Sequence, residues 1–249
     1  MLNNIKIILV HTSHPGNIGA TARAMKTMGF SNLVLVAPKL FPHPDAIHRA
    51  TGANDILENA TVVDDLKDAI KDCEWVIGAS VRERNLGRPI YDSRDCAKKI
   101  IECVERKIGI VFGRENNGLS NEELSLCHAQ VNIPTNPLFS SLNLASAVQV
   151  ICYEILMCFL SKNNEKKKFK IKKNTLDPFA SADQVVGFYE HLRNTLILLE
   201  VGNPKQPKKL MQRLQLLFNR TQLTVTELNI LRGILKAVNE KIKLTGQNI

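Results

Sequence analysis

Residues 108–124 read "IGIVFGRENNGLSNEEL". The opening run is continuously apolar rather than alternating, which is how a strand covered on both faces reads. Gly113 and Gly118 then allow a tight backbone path, and Arg114 and Glu115 place a guanidinium and a carboxylate at its mouth. Ser120 and Glu123 form an S-x-x-E capping box, so a helix starts where the loop ends.

The same strand signature recurs outward from this stretch, in "IKIILV" (5–10), "NLVLVA" (32–37), "EWVIGA" (74–79) and "QVNI" (130–133). Helical patterns at 17–28, 93–106 and 142–160 alternate with these runs. Buried strands alternating with helices predict an α/β domain over residues 1–160, with a parallel sheet flanked by helices. Residues 161–180 carry seven lysines against Glu165 and Asp177 and read as a basic linker. Beyond it, Ser181 as a cap and Asp183 in a first turn open a helical unit over 181–249, with further helices near 205–219 and 224–243.

Charge divides along the same boundary. Residues 1–160 hold 16 Lys and Arg against 17 Asp and Glu, whereas residues 161–249 hold 17 against 7. A basic part of this kind suits a polyanion, since neutralising phosphates releases counterions. For the densest lysine run, a solvated tail fits equally well.

The amino terminus lacks a signal-peptide pattern, and the longest apolar run, Ala147 to Leu160, contains Gln149 and Glu154. No membrane segment and a cytoplasmic location are expected. The six cysteines include no C-x-x-C, and His11 with His14 lack thiolate or carboxylate company, so neither a disulfide framework nor a metal site is expected.

Chemistry is expected in three loops, because ligands of open α/β sheets bind beyond the carboxyl ends of the strands. The first, "HTSHPGNIGATARAMKTMG" (11–29), offers Asn17 as a helix cap and projects Arg23 from a surface kept low by Gly19, Ala20, Ala22 and Ala24. The second is the loop after residue 113, where neither a P-loop nor a G-x-G-x-x-G is present. The third, "IPTNPLFSSLNLASAV" (133–148), has Ser140 and Ser141 as helix caps; a hydrolase nucleophile would want the G-x-S-x-G glycines that are missing here.

Taken together, "NIGATARAMKTMG" (17–29), "VFGRENNGLSNEEL" (111–124) and "IPTNPLFSSLNLASAVQVICYE" (133–154) resemble the three motifs of the SpoU branch of the SPOUT RNA methyltransferases. The resemblance covers about the first 160 residues. It implies a SPOUT-type parallel sheet with helices on both faces, a deep carboxyl-terminal trefoil knot, a homodimer, and S-adenosylmethionine as methyl donor. The start of the chain and "ELNILRGIL" (227–235) look closest to the members that methylate the ribose 2′-hydroxyl of cytidine or uridine at position 32 of tRNA.

The resemblance assigns cofactor binding to Ala79, Ser80, Val81, Gly113, Ile133, Ser140, Ser141 and Leu142, mainly through backbone groups, with Ile133 and Leu142 as apolar walls for the adenine. Arg23, Glu115 and Asn143 take the catalytic places, Glu115 organising Arg23 or the backbone around the cofactor, and Asn143 bonding into the arginine network. Asn17, Arg82, Arg84 and Arg114 are the candidates for RNA contact, and the helical carboxyl-terminal domain for tRNA binding. A sulfonium is already an activated electrophile, so no metal is required; a guanidinium is a poor proton acceptor, so Arg23 reads as a positioning and alkoxide-stabilising group. A 2′-O-methyltransferase of another tRNA or rRNA site, or a non-catalytic RNA-binding protein on the same fold, are the competing readings.

Overall fold

In the computed structural model, residues 2–81, 87–165, 177–201 and 207–245 are described. Seven strands form one wholly parallel sheet: β1 (Ile5–Val10), β2 (Asn32–Val36), β3 (Thr61–Val63), β4 (Trp75–Ala79), β5 (Ile90–Asp92), β6 (Ile108–Phe112) and β7 (Ala129–Asn132). Their order is β3-β2-β1-β6-β4-β7-β5, so two strands late in the chain insert between earlier ones. The register aligns Ile7 with Ile110 and Ile77 with Ile110, which places the three central strands side by side.

Both faces of the sheet are covered, as the continuously apolar strands require. On one face Ile7, Leu9, Leu35, Ile77 and Ile110 pack beneath α1 (Pro15–Thr27), α5 (Ser93–Glu102) and α7 (Leu144–Glu165). On the other, Ile8, Val34, Val76 and Val111 meet α4 (Leu66–Ile70) and α6 (Asn121–Ser125) through Leu66, Ile70 and Leu124. The short helices α2 (Pro44–Ala50) and α3 (Asn54–Glu58) lie beside α1. Gly19 is required there, because a Cβ at that position would sit 2.0 Å from the Ala46 carbonyl oxygen on α2.

Helix α7 is the one described helix long and apolar enough to cross a membrane. Its apolar character has a packing explanation: Val148, Ile151, Cys152 and Ile155 are buried in the core against α1 and α5. Tyr153, Met157 and Leu160, spaced to share one helix face, stay exposed. The helix runs to Glu165, into the stretch expected to be linker; residues 166–176 of that stretch lie outside the described residues.

The carboxyl-terminal helices α8 (Ala182–Leu198), α9 (Pro207–Thr221) and α10 (Val225–Thr245) have a core of their own around Phe188, Tyr189, Leu192 and Leu228. Ser181 caps α8 in a full capping box with Gln184. The helical unit docks on the sheet domain through the Ala182 N–H to the Cys73 carbonyl, Asn219 Nδ2 to the Ser125 carbonyl, and the Arg106 guanidinium 3.2 Å above the Phe179 ring. Two strands, β3 and β5, and the helices α2, α3 and α4 were not anticipated.

Candidate active site

The loops after β1, β6 and β7 meet at the carboxyl end of the sheet, where Glu115 gathers donors from the first of them. Its Oε2 accepts from the Ser13 N–H at 3.0 Å and Ser13 Oγ at 2.8 Å; its Oε1 accepts from the His14 N–H at 3.2 Å and Asn17 Nδ2 at 2.9 Å. Partial burial opposes ionisation of this carboxyl, but the donations from Asn17 and Ser13 outweigh it and hold the group at about 2. The carboxylate is therefore a fixed anion and an anchor for the amino-terminal end of α1.

Asn17 is not the cap that its position suggests. His14 is the N-cap of α1, its Nδ1 accepting from the Gly16 N–H, and Pro15 follows at the first helical position. The start falls one turn early because proline tolerates the first turn, where its missing N–H costs nothing. Asn17 is thereby released to bridge: its Oδ1 accepts from Asn143 Nδ2 at 3.0 Å. Asn143 in turn accepts the Ala145 N–H at 3.0 Å and is the cap of α7, a place expected for Ser140 or Ser141.

A chain of bonds thus runs from Glu115 through Asn17 to Asn143, tying all three motif loops together. Glu115 does not hold Arg23, and Asn143 does not bond to it either. Arg23 lies exposed on α1, and its guanidinium has no partner among the described residues. Ser13 and His14 were missed as holders of Glu115; the only signal for them in the sequence is His14-Pro15, an N-cap followed by a helix-starting proline.

The second loop is braced from within. Arg114 donates from Nη1 and Nη2 to the two oxygens of Glu123 at 3.0 and 2.9 Å, and Glu123 also accepts the Ser120 N–H at 2.7 Å. Burial of Glu123 works against its ionisation, but the Arg114 bonds prevail and lower its pKa. The cation expected to meet RNA is paired within its own loop. Gly118 turns in the left-handed region at φ 65°, and a Cβ on Gly113 would come 2.1 Å from the Gly118 carbonyl carbon.

The third loop arches outward. Thr135 Oγ1 donates to the Ser140 carbonyl and Asn136 turns the backbone at Leu138, leaving Leu138 94% and Phe139 80% exposed. Ile133 packs against the core, while Leu142 is partly open. Ser80 lies beside this rim, its N–H donating to the Val131 carbonyl and its carbonyl accepting from Gln130 Nε2. Ala79 and Val81 flank it. Arg82 and Arg84 lie outside the described residues.

Comparison with known proteins follows the same division of the chain. Residues 4–153 match the SpoU rRNA Methylase family, and residues 183–247 match the tRNA methyltransferase TrmJ, C-terminal domain. The chain is 48% identical to the tRNA (cytidine/uridine/adenosine-2′-O-)-methyltransferase TrmJ of Pseudomonas aeruginosa, covering 94% of this chain and 93% of that one. It is 46% identical to the tRNA (cytidine/uridine-2′-O-)-methyltransferase TrmJ of Photorhabdus laumondii, covering 98% and 100%. The crystal structure of TrmJ from Z. mobilis ZM4 superposes with a TM-score of 0.81 at 32% identity, over 94% of this chain and 98% of that one. Seven parallel strands, three loops locked through Glu115, Asn17 and Asn143, and these matches end to end have one meaning: the chain belongs to the SpoU methylase family, with a TrmJ-type carboxyl-terminal domain.

Proposed function

We propose that the chain is an S-adenosylmethionine-dependent tRNA methyltransferase acting on the ribose 2′-hydroxyl of cytidine or uridine, at position 32 of the anticodon loop. The observation that carries this reading is the Glu115–Asn17–Asn143 clamp, which draws the three motif loops to one end of the sheet in a chain nearly half identical to such enzymes. The division is a catalytic domain over 1–160, a basic linker over 161–180 and a tRNA-binding helical domain over 181–249. A trefoil threading of the 133–148 segment goes with this reading, and the insertion of β6 and β7 between earlier strands is compatible with it.

The residues at the rim suit the cofactor. Ser80, Ser140 and Ser141 offer hydroxyls and backbone groups, Ile133 and Leu142 offer apolar walls, and Asn132 at the end of β7 keeps a buried Oδ1 without a partner among the described residues. That donor set fits a ligand with a polar amino-acid end and an aromatic ring. When bound, S-adenosylmethionine supplies an electrophilic methyl group. The protein's part is to align a ribose oxygen and stabilise the charge that develops on it as its proton passes to a neighbouring RNA phosphate and on to water.

Arg23 takes that task as a permanent cation, orienting a phosphate and stabilising the alkoxide. Its lack of a partner among the described residues, together with the exposed face of Tyr153, Met157 and Leu160 on α7, supports a homodimer in which the site is completed across the interface. The basic face of α9, with Lys209, Arg213 and Arg220 exposed, supports tRNA capture by the helical domain.

Mass spectrometry of tRNA incubated with the protein and isotope-labelled S-adenosylmethionine tests the whole reading. The expected product carries one labelled methyl on the 2′-oxygen of cytidine or uridine 32. Label on a base, or none at all, overturns it.

A further inference from the structure

Beside the clamp, a cavity of about 360 Å³ opens between the loops after β1, β2 and β6. His11, Lys39, Asn116 and Asn117 line it together with Arg114 and Glu115. We propose that this cavity is a nucleobase subsite, seating the base of a nucleotide that flanks the methylated one. The inference rests on the tRNA reading above and adds to it a place where the substrate's neighbouring base is recognised.

The lining sets Lys39 against Glu115, with Arg114 paired to Glu123, so the cavity has little net charge with which to hold a phosphate. A neutral ligand matches such a lining. Asn116 and Asn117 are exposed, have no partner among the described residues, and each presents a donor and an acceptor on one amide. Lone amides facing solvent discriminate little, but two converging on a cavity can read the hydrogen-bonding edge of a base.

His11 supplies the remaining requirement, a flat aromatic surface. Sequence-specific readers of single-stranded RNA splay bases out, stack them on aromatic side chains including histidine, and bond to their edges. The volume is at the small end of ligand pockets, which run from about 300 to 1,000 Å³, and so suits one base rather than two. Lys39 lies exposed where the cavity opens, suited to the phosphate that such a base carries outside.

The position gives the cavity a purpose. Ser13 and Glu115 belong both to its wall and to the clamp, so a base seated here is referenced to the same loops as the reacting ribose. Methyl transfer depends on alignment of a freely rotating sugar, and fixing an adjacent nucleotide removes much of that freedom.

The test is a coupling measurement. Wild type, Asn117→Ala and His11→Asn are assayed for kcat/KM on intact tRNA and on the same tRNA made abasic at the nucleotide 5′ or 3′ of the methylated one. Asparagine is chosen at residue 11 because that backbone is left-handed, at φ 50°, a conformation asparagine tolerates. Wild type is expected to lose about 10- to 100-fold on one abasic substrate, in keeping with the stacking contribution of a single base. Each variant is expected to lose a similar amount on intact tRNA and little more on that abasic tRNA, with S-adenosylmethionine affinity by calorimetry unchanged. Losses that multiply, or a wild type indifferent to both abasic sites, overturn the subsite while leaving the methyltransferase reading intact. A wild type that transfers no methyl to tRNA overturns that reading and the subsite with it.

Discussion

Asn143 Nδ2 donates to Asn17 Oδ1 across 3.0 Å, although 126 positions separate the two in sequence. The contact joins the cap of α7 to the first turn of α1, and Asn17 passes it on to Glu115. Each asparagine does two jobs, so the two are energetically coupled. In urea unfolding, Asn143→Ala is expected to cost about 1–2 kcal/mol through loss of the cap and the bridge. The Asn17→Ala change in that background should cost less than it does alone, by about 0.5–1 kcal/mol. Strictly additive losses would show that the bridge contributes nothing.

Glu115 makes stability depend on acidity. Its carboxyl sits at about 2 in the folded protein, below its ordinary value of 4.5, so its stabilisation is complete above pH 4.5 and fades as pH falls towards 2. Glu115→Gln is expected to destabilise the protein by roughly 1–2 kcal/mol at pH 7, since hydrogen bonds to a charged acceptor are the stronger kind. The gap from wild type should close across that acid window. Thermal melts at pH 7, 4 and 3 would expose a constant gap, which contradicts the assignment.

Arg23→Ala is expected to abolish methyl transfer in single-turnover assays, a loss of at least about 100-fold, because a positioned charge stabiliser is removed from the reacting oxygen. Cofactor affinity measured by calorimetry should hold, since Arg23 is not among the residues assigned to the cofactor. Near-normal turnover would take Arg23 out of the mechanism. Arg23→Lys should recover only part of the rate, because a point charge lacks the fork of a guanidinium.

The face of α9 should set the salt dependence of tRNA binding. Replacing Lys209, Arg213 and Arg220 together with alanine removes three exposed cations. The slope of log affinity against log salt should become shallower by roughly 2–3, at about 0.7–0.9 per phosphate contact. Filter binding across a salt series measures it; an unchanged slope would mean that tRNA is held elsewhere.

Exposed apolar side chains on α7 predict a concentration-dependent assembly. Met157→Glu places a charge in the centre of the Tyr153, Met157 and Leu160 face. In sedimentation velocity wild type is expected to run as a dimer and the variant as a monomer, with methyl transfer lost and the fold retained by circular dichroism. A variant that remains dimeric would move the interface to another surface.

The legible parts of this fold were those with a periodic or continuous burial signature. β1, β2, β4, β6 and β7 are buried on both faces and announce themselves as unbroken apolar runs. β3 and β5 are three-residue edge strands with exposed side chains, so "TVV" and "IYD" carry no packing signal of their own. Helices α2, α3 and α4, at five to seven residues, are too short to display a period. The capping box at Ser120 was visible because both partners lie within one turn. The site's bonds were not, because Glu115 meets Ser13 across 102 positions and no local rule connects them. Asn17 and Ser140-Ser141 were read as caps for the same reason: local rules recognise a capping residue type, while the actual caps, His14 and Asn143, were decided by where the chain had to cross.

The strand order also governs when the protein can exist at all. β4 borders only β6 and β7, and β5 borders only β7, so neither has a ladder partner until residues 108–132 have been made. A nascent chain that has reached residue 107 holds β1, β2 and β3 as one ribbon and two orphan segments with unpaired backbone edges. Such edges invite pairing with other chains, and non-local parallel ladders form slowly. Synthesis of this molecule therefore passes through an interval in which its middle strands stand unpaired, closed only when the last strands of the sheet arrive to fill it.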